Sequence, residues 1–113
     1  MPDFTVTALH HLEGTVIAVT GELDIHTCPR VERATAVLPV GDKTLRLDLS
    51  GVSFMDSMGL NLLLRLRNRI HGSGGHLVLA GLQAQPCAVL RLTETYALFD
   101  ITCAADGLTG SAR

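Results

Sequence analysis

Apolar residues fall on every second position at Leu45, Leu47 and Leu49. Side chains of an extended chain point alternately to its two faces, so this spacing predicts a strand over 44–49. Ser50-Gly51 then predicts a turn, and Val52 and Phe54 a short apolar bridge. Past Asp56-Ser57-Met58-Gly59 the pattern changes to a run of helix formers, Leu60, Leu62, Leu63, Leu64, Arg65, Leu66 and Arg67, which predicts a helix over 58–71. Ser57 stands where that helix begins, with its hydroxyl free to cap the first backbone N–H groups. Gly72, Gly74 and Gly75 supply the left-handed conformations with which a helix stops.

The same reading extends to the remaining segments. Residues 4–10 and Thr15–Thr20 read as strands, and the short link His11–Gly14 makes them an antiparallel pair. A helix is expected over 28–38, with Thr27 as N-cap and Pro29 in its first turn. Val31, Ala34, Val37 and Leu38 share one of its faces, and Pro39 and Gly41 end it. Leu77–Ala80 is short and continuously apolar, as in a strand buried on both faces. Pro86 opens a third helix through about Thr93, and Phe99–Thr102 is a last short strand. The order predicts an α/β fold, a mixed β-sheet with a parallel centre and helices packed on it. One domain spans 1–113, with its core at about 4–104 and a flexible tail over 105–113.

Composition sharpens this picture. A chain of 113 residues, 47% hydrophobic, has material for one core. With one Tyr, three Phe and no Trp, that core must be aliphatic. A net charge of −2 argues against general nucleic-acid binding, which needs a basic footprint. No apolar stretch reaches the length of a membrane span, and the N-terminus lacks the layout of a signal peptide. Cys28, Cys87 and Cys103 are odd in number and widely spaced, which suggests neither a disulfide framework nor a zinc site. A cytoplasmic protein with reduced thiols and no cofactor is expected.

The chemistry concentrates at Ser57, which has three readings. It is a helix cap, a phosphoacceptor, or a hydrolase nucleophile. A phosphoryl group at a helix start meets unpaired N–H donors and the positive end of the helix dipole. A nucleophile elbow needs glycine two residues before the serine, and Met55 stands there, while His71 and His76 abut the glycine-rich turn. Asp24 and Asp56 are either an acidic pair beside the hydroxyl or turn residues. Arg65 and Arg69 are either cations favoured near a helix C-terminus or part of a docking surface. No phosphate-cradling Gly-x-x-x-x-Gly-Lys is present, so nothing suggests that the chain hydrolyses ATP itself, and it is not expected to be an enzyme.

Asp56-Ser57-Met58-Gly59-Leu60, following Asp48-Leu49-Ser50-Gly51-Val52, resembles the phosphorylation loop of the bacterial anti-sigma factor antagonists, the family built on the STAS domain. Upstream, Gly21-Glu22-Leu23-Asp24 is similar to that family's segment leading from the second strand into the first helix. The resemblance runs from about Thr5 to Ala104 and implies the same fold. It further implies that Ser57 is the phosphoacceptor, with Asp24, Asp56, Met58, Gly59 and Asn61 on the partner-binding surface. Unphosphorylated, such a protein binds an anti-sigma factor that is itself an ATP-binding serine kinase, and a sigma factor is freed. Phosphorylation ends the binding and a separate phosphatase restores it, without nucleic acid or membrane insertion. The family's second hydroxyl residue is replaced here by Met58, which leaves Ser57 as the acceptor and alters what the kinase meets. The alternative is a non-switching STAS scaffold, or a subunit of a signalling assembly or transport system, in which Ser57 only caps a helix.

Overall fold

The structure is a computed structural model that describes residues 4–12, 14–38 and 43–102. β1 (Thr5–His11) and β2 (Gly14–Leu23) form the antiparallel hairpin, in register from Thr5↔Thr20 to His11↔Gly14. Then follow α1 (Cys28–Ala36), β3 (Thr44–Met55), α2 (Ser57–Gly72), β4 (His76–Ala80), α3 (Ala84–Leu92), a 3₁₀ turn (Tyr96–Leu98) and β5 (Asp100–Thr102). The five strands lie in the order β1-β2-β3-β4-β5, and β2 to β5 are mutually parallel. This is the mixed α/β sheet that the hydrophobic pattern predicts.

Sequential parallel neighbours joined by right-handed crossovers place all the connecting helices on one face of the sheet. Burial follows that rule. Ile17, Leu47 and Leu79 lie side by side across β2, β3 and β4, and each is fully buried. On the opposite face, Arg46 is exposed while its flanking residues Val16 and Val78 are only half-buried. The sheet therefore has one covered face and one largely open face. Leu63 of α2 and Leu90 of α3 complete an aliphatic core, in which Phe99 is the one buried aromatic among the described residues.

α2 is clipped between its neighbours by arginines. Arg69 donates to the Thr35 carbonyl of α1 at 2.6 Å, Arg65 pairs with Glu32 of α1, and Arg67 donates to the Leu98 carbonyl at 2.6 Å. The Thr35 carbonyl, which also accepts from the Leu38 N–H at 3.2 Å, thereby gains a charge-assisted bond that ties α2 to the end of α1. The helix ends through Gly74, with φ +86°, and Gly75, whose N–H donates to the Ile70 carbonyl at 2.9 Å.

Several boundaries differ from those the sequence predicts. β3 does not turn at Ser50-Gly51 but runs on to Met55, because it carries two β-bulges against β2. Ala18 and Thr20 face Asp48 and Gly51, and Gly21 and Glu22 face Val52 and Phe54, so three steps along β3 match two along β2 at the first bulge and two match one at the second. The Asp48 carboxylate accepts from the Ser50 N–H at 3.0 Å, supplying a partner at the first bulge. α3 begins at Ala84 rather than Pro86, which sits in its first turn, where a missing N–H costs nothing. Val37, expected on the buried face of α1, lies past its end and is 82% exposed. Val78 and Ala80 are only half-buried, since the second face of β4 is not covered. The expected helix stop at Pro39 and Gly41, Cys103 and the tail over 105–113 lie outside the described residues. Among the described residues no helix is long and apolar enough to cross a membrane, and no His, Cys, Asp and Glu cluster is arranged to hold a metal ion.

Candidate functional site

The paired ends of β2 and β3 make the site. Leu23 pairs with Met55, and the Asp56 N–H donates to the Leu23 carbonyl at 3.2 Å, so the two strands leave the sheet together. Asp24 follows one and Asp56 the other. The charges of both act on the Cys28 thiol, each raising its pKa.

Asp56, not Ser57, is the N-cap of α2. Its backbone is extended, and its Oδ1 accepts from the N–H groups of Met58 at 2.9 Å and Gly59 at 3.3 Å. Ser57 is already the first helical residue. Of two adjacent residues that both favour caps, the one with the non-helical backbone takes the role. The expectation that a phosphoryl group on Ser57 would meet unpaired N–H donors is thereby corrected, because the aspartate carboxylate already occupies two of them. The Ser57 side chain is exposed, and among the described residues its hydroxyl has no hydrogen-bond partner.

Thr27 occupies the N-cap position of α1 but makes no side-chain cap. Its hydroxyl instead donates to the Glu22 carbonyl at 2.6 Å and accepts from the Asp24 N–H at 3.0 Å, folding the β2–α1 loop on itself. The Asp24 carboxylate accepts from the N–H groups of His26 at 2.9 Å and Thr27 at 3.2 Å. Burial works to raise its pKa, but those bonds, the Thr27 hydroxyl and the charge of His26 outweigh it and hold the carboxyl below the usual value. Asp24 is thus a turn residue that remains charged.

Three large apolar side chains on these strand ends and loops are open to solvent: Ile25 at 60%, Phe54 at 40% and Met58, next to Ser57, at 37% exposure. Asn61 is exposed one turn along α2 from Ser57. Gly59 is buried. A Cβ there would lie 3.0 Å from Leu23 Cβ and 2.5 Å from Met55 Cγ, so its part is to let α2 approach the strand ends closely. Cys28, at the start of α1, is buried. Desolvation first, then Asp56, Glu32 and Asp24, push its thiol up to about 11, with Arg65 opposing. Such a thiol is protonated and inert at neutral pH.

Two glutamines that sequence reasoning missed complete the site. β4 pairs with β3 only as far as Asp48↔Ala80, so the last seven residues of β3 have no strand on that side. Gln85 of α3 fills part of the gap: the Met55 N–H donates to its Oε1 at 2.8 Å and its Nε2 donates to the Met55 carbonyl at 3.1 Å. The Gln83 amide donates to the Ser50 carbonyl at 2.7 Å. No local pattern announces such contacts. The available signal is two uncharged amides flanking a helix start.

Nothing in this arrangement activates the hydroxyl from within, since among the described residues no imidazole or other base contacts it. What it offers is a solvated serine, two hydrogen-bonded carboxylates and exposed apolar side chains, which suits recognition by another protein.

Comparison with known proteins agrees. Residues 5–105 match the STAS domain. The chain is 33% identical over 113 residues to the anti-sigma-F factor antagonist RsfB of Mycobacterium tuberculosis, covering 96% of this chain and 91% of that protein. It is 38% identical over 86 residues to the anti-sigma-B factor antagonist of Listeria monocytogenes, covering 75% and 73%. Its fold is similar to the crystal structure of an anti-sigma factor antagonist from Mycobacterium paratuberculosis, with a TM-score of 0.79 at 25% identity over 94% of this chain and 92% of that one.

Proposed function

Given that the chain belongs to the STAS domain family, we propose that it is an anti-sigma factor antagonist that binds its partner when Ser57 is unmodified and is released when Ser57 carries phosphate. The partner in this reading is an anti-sigma factor with ATP-dependent serine kinase activity, its capture frees a sigma factor, and a phosphatase resets the switch in the cytoplasm. The relatives' names support the antagonist role. The observation that carries the switch is the exposed, unengaged Ser57 hydroxyl, which adjoins exposed Met58 on the loop that follows Phe54.

The physics of the switch is electrostatic. A phosphate adds about −1.5 to −2 charges at neutral pH. It would arrive beside the Asp56 carboxylate, whose N–H partners at Met58 and Gly59 are already engaged. A like-charge pair 4 Å apart costs about 1 kcal/mol in water and about 4 kcal/mol where a partner excludes solvent. An apolar partner surface that accepts a hydroxyl would have to desolvate a dianion instead. Phosphorylation therefore disfavours the complex far more than the free protein.

Intact mass measurement of the protein from its own cells, before and after phosphatase treatment, with peptide mapping of residues 54–65, tests the acceptor. A removable phosphate on Ser57 is expected. Ser57→Ala should retain partner binding and take up no phosphate, while Ser57→Asp should bind weakly. An Asp variant that bound as tightly as the wild type would overturn the electrostatic switch.

A further inference from the structure

We infer that Gln85 is the positioning residue of the Ser57 loop, and that α3 thereby sets how the acceptor hydroxyl is presented; this rests on the reading of Ser57 as phosphoacceptor. Met55 ends β3, Asp56 caps α2 and Ser57 follows, so the seat of Met55 fixes the next two residues. On one side that seat is the ladder to β2, through Leu23↔Met55 and the Asp56 N–H bond to the Leu23 carbonyl. On the other side β4 has already ended, and the neighbour is the side chain of Gln85, thirty residues along the chain.

A carboxamide carries one acceptor oxygen and an N–H donor in the same plane, as a peptide group does. Gln85 presents both to a single residue, taking the Met55 N–H and giving to the Met55 carbonyl. It behaves as one residue of a missing strand. Met55 is fully buried and Gln85 half-buried, so neither Met55 group has an easy substitute in water. An apolar side chain would fill the space but leave both unpaired. Gln85 is in turn held by α3, which is anchored through buried Pro86 and Leu90 and through the Gln83 bond to the Ser50 carbonyl. A force that shifts α3 is delivered to the residue adjoining the cap.

A pair of variants separates this role from simple packing. Gln85→Ala removes both bonds. Gln85→Glu, when ionised, still accepts from the Met55 N–H but sets a second acceptor against the Met55 carbonyl; once protonated it again offers a donor and an acceptor. Amide hydrogen exchange is measured on the full chain and expressed relative to the intrinsic rate at each pH. Protection at Met55, Asp56, Met58 and Gly59 should fall roughly tenfold in Gln85→Ala at about pH 7 and at about pH 4. In Gln85→Glu it should fall similarly at about pH 7 and return to within about twofold of wild type at about pH 4, as the carboxyl protonates. Core amides at Leu47 and Leu79 should not change. Unaltered loop exchange in Gln85→Ala, or no recovery with acid in Gln85→Glu, would refute the positioning role. Should Gln85→Ala lose core protection as well, the ratio of Gln85→Glu to wild type at each pH still decides, because the Asp56 cap of Met58 and Gly59 is common to both.

Phosphate uptake from ATP in an extract of the source cells, followed by intact mass, reads the consequence for Ser57. Both variants should take up phosphate several-fold more slowly than the wild type at neutral pH. Uptake by Gln85→Ala at the wild-type rate would refute the link to presentation. A wild-type protein that takes up no phosphate would instead remove the phosphoacceptor reading, with the exchange experiment still judging what Gln85 holds.

Discussion

Gly59→Ala tests whether the start of α2 is seated as tightly as the structure has it. The added methyl carbon would lie 2.5 Å from Met55 Cγ, 3.0 Å from Leu23 Cβ and 3.2 Å from the Leu23 carbonyl oxygen. Leu23 and Met55 are 1% and 0% exposed, so neither can yield into solvent. Two of the three contacts are with atoms fixed by the β2 backbone. Overpacking of this kind costs about 1–3 kcal/mol. Against it stands the helix preference of alanine over glycine, at most about 1 kcal/mol and smaller in a first turn. Gly72→Ala, at the other end of the same helix, is the control, because a Cβ there meets nothing within 4 Å. It should be neutral or slightly stabilising. The difference between the two variants isolates the clash at about 2 kcal/mol, or about 8 °C in Tm for a domain of this size. Urea denaturation followed by circular dichroism measures it, with an unchanged slope showing that both variants unfold from the same compact state. Equal stabilities within about 0.5 kcal/mol would show that α2 is not pressed against the strand ends, and the geometry argued for Ser57 would lose its basis.

The other predictions concern the cap and the buried thiol. Asp56→Ala should cost about 1 kcal/mol, the loss of an N-cap, whereas Asp56→Asn should retain most of it, because the amide oxygen can accept the same Met58 and Gly59 N–H bonds; equal losses in thermal melts would argue against the cap. Cys28 should resist alkylation at pH values where half-buried Cys87 reacts, until the protein is unfolded. Between the ordinary thiol value of 9.0 and about 11, the unfolded chain releases a proton that the folded chain retains. Folded stability should therefore fall as pH rises through that window, be unaffected by this group below it, and lose that dependence in Cys28→Ala. Urea midpoints across the window check the sign, and a slope of the opposite sense would refute the assignment.

The strand at Leu45–Leu49 and the helix after Ser57 were legible because each obeys a single period, two in one case and about 3.6 in the other. The parallel centre followed from the alternation of strands and helices. What escaped were interactions without a period. Leu49, Val52 and Met55 are buried at intervals of three, which reads as neither strand nor long helix, since each bulge inserts a residue and breaks the alternation. The choice between Asp56 and Ser57 as cap depends on one backbone conformation that adjacent cap-forming residues do not disclose. Arg65 and Arg69 were legible as cations near a helix end, but their use as clips to Glu32 and the Thr35 carbonyl depends on the packing of α1. Gln85 is the extreme case, a contact thirty residues distant whose meaning exists only once β4 is seen to stop short.

The two bulges of β3 also constrain how such a chain can change length. In a regular strand, one extra residue exchanges the two faces for everything after it. Here each extra residue is absorbed within a bulge. Ser50 and Gly51 fall together between buried Leu49 and Val52, and Ser53 and Phe54 between buried Val52 and Met55. Every β3 residue beyond a bulge therefore still shares a face with its β2 partner, and Met55 stays inward beside Leu23. Deleting one residue of either pair would restore the ordinary alternation and leave Met55 and the Ser57 loop facing as before. Each bulge is thus a place where the strand can lose a single residue without turning the site over, and the two can be lost independently.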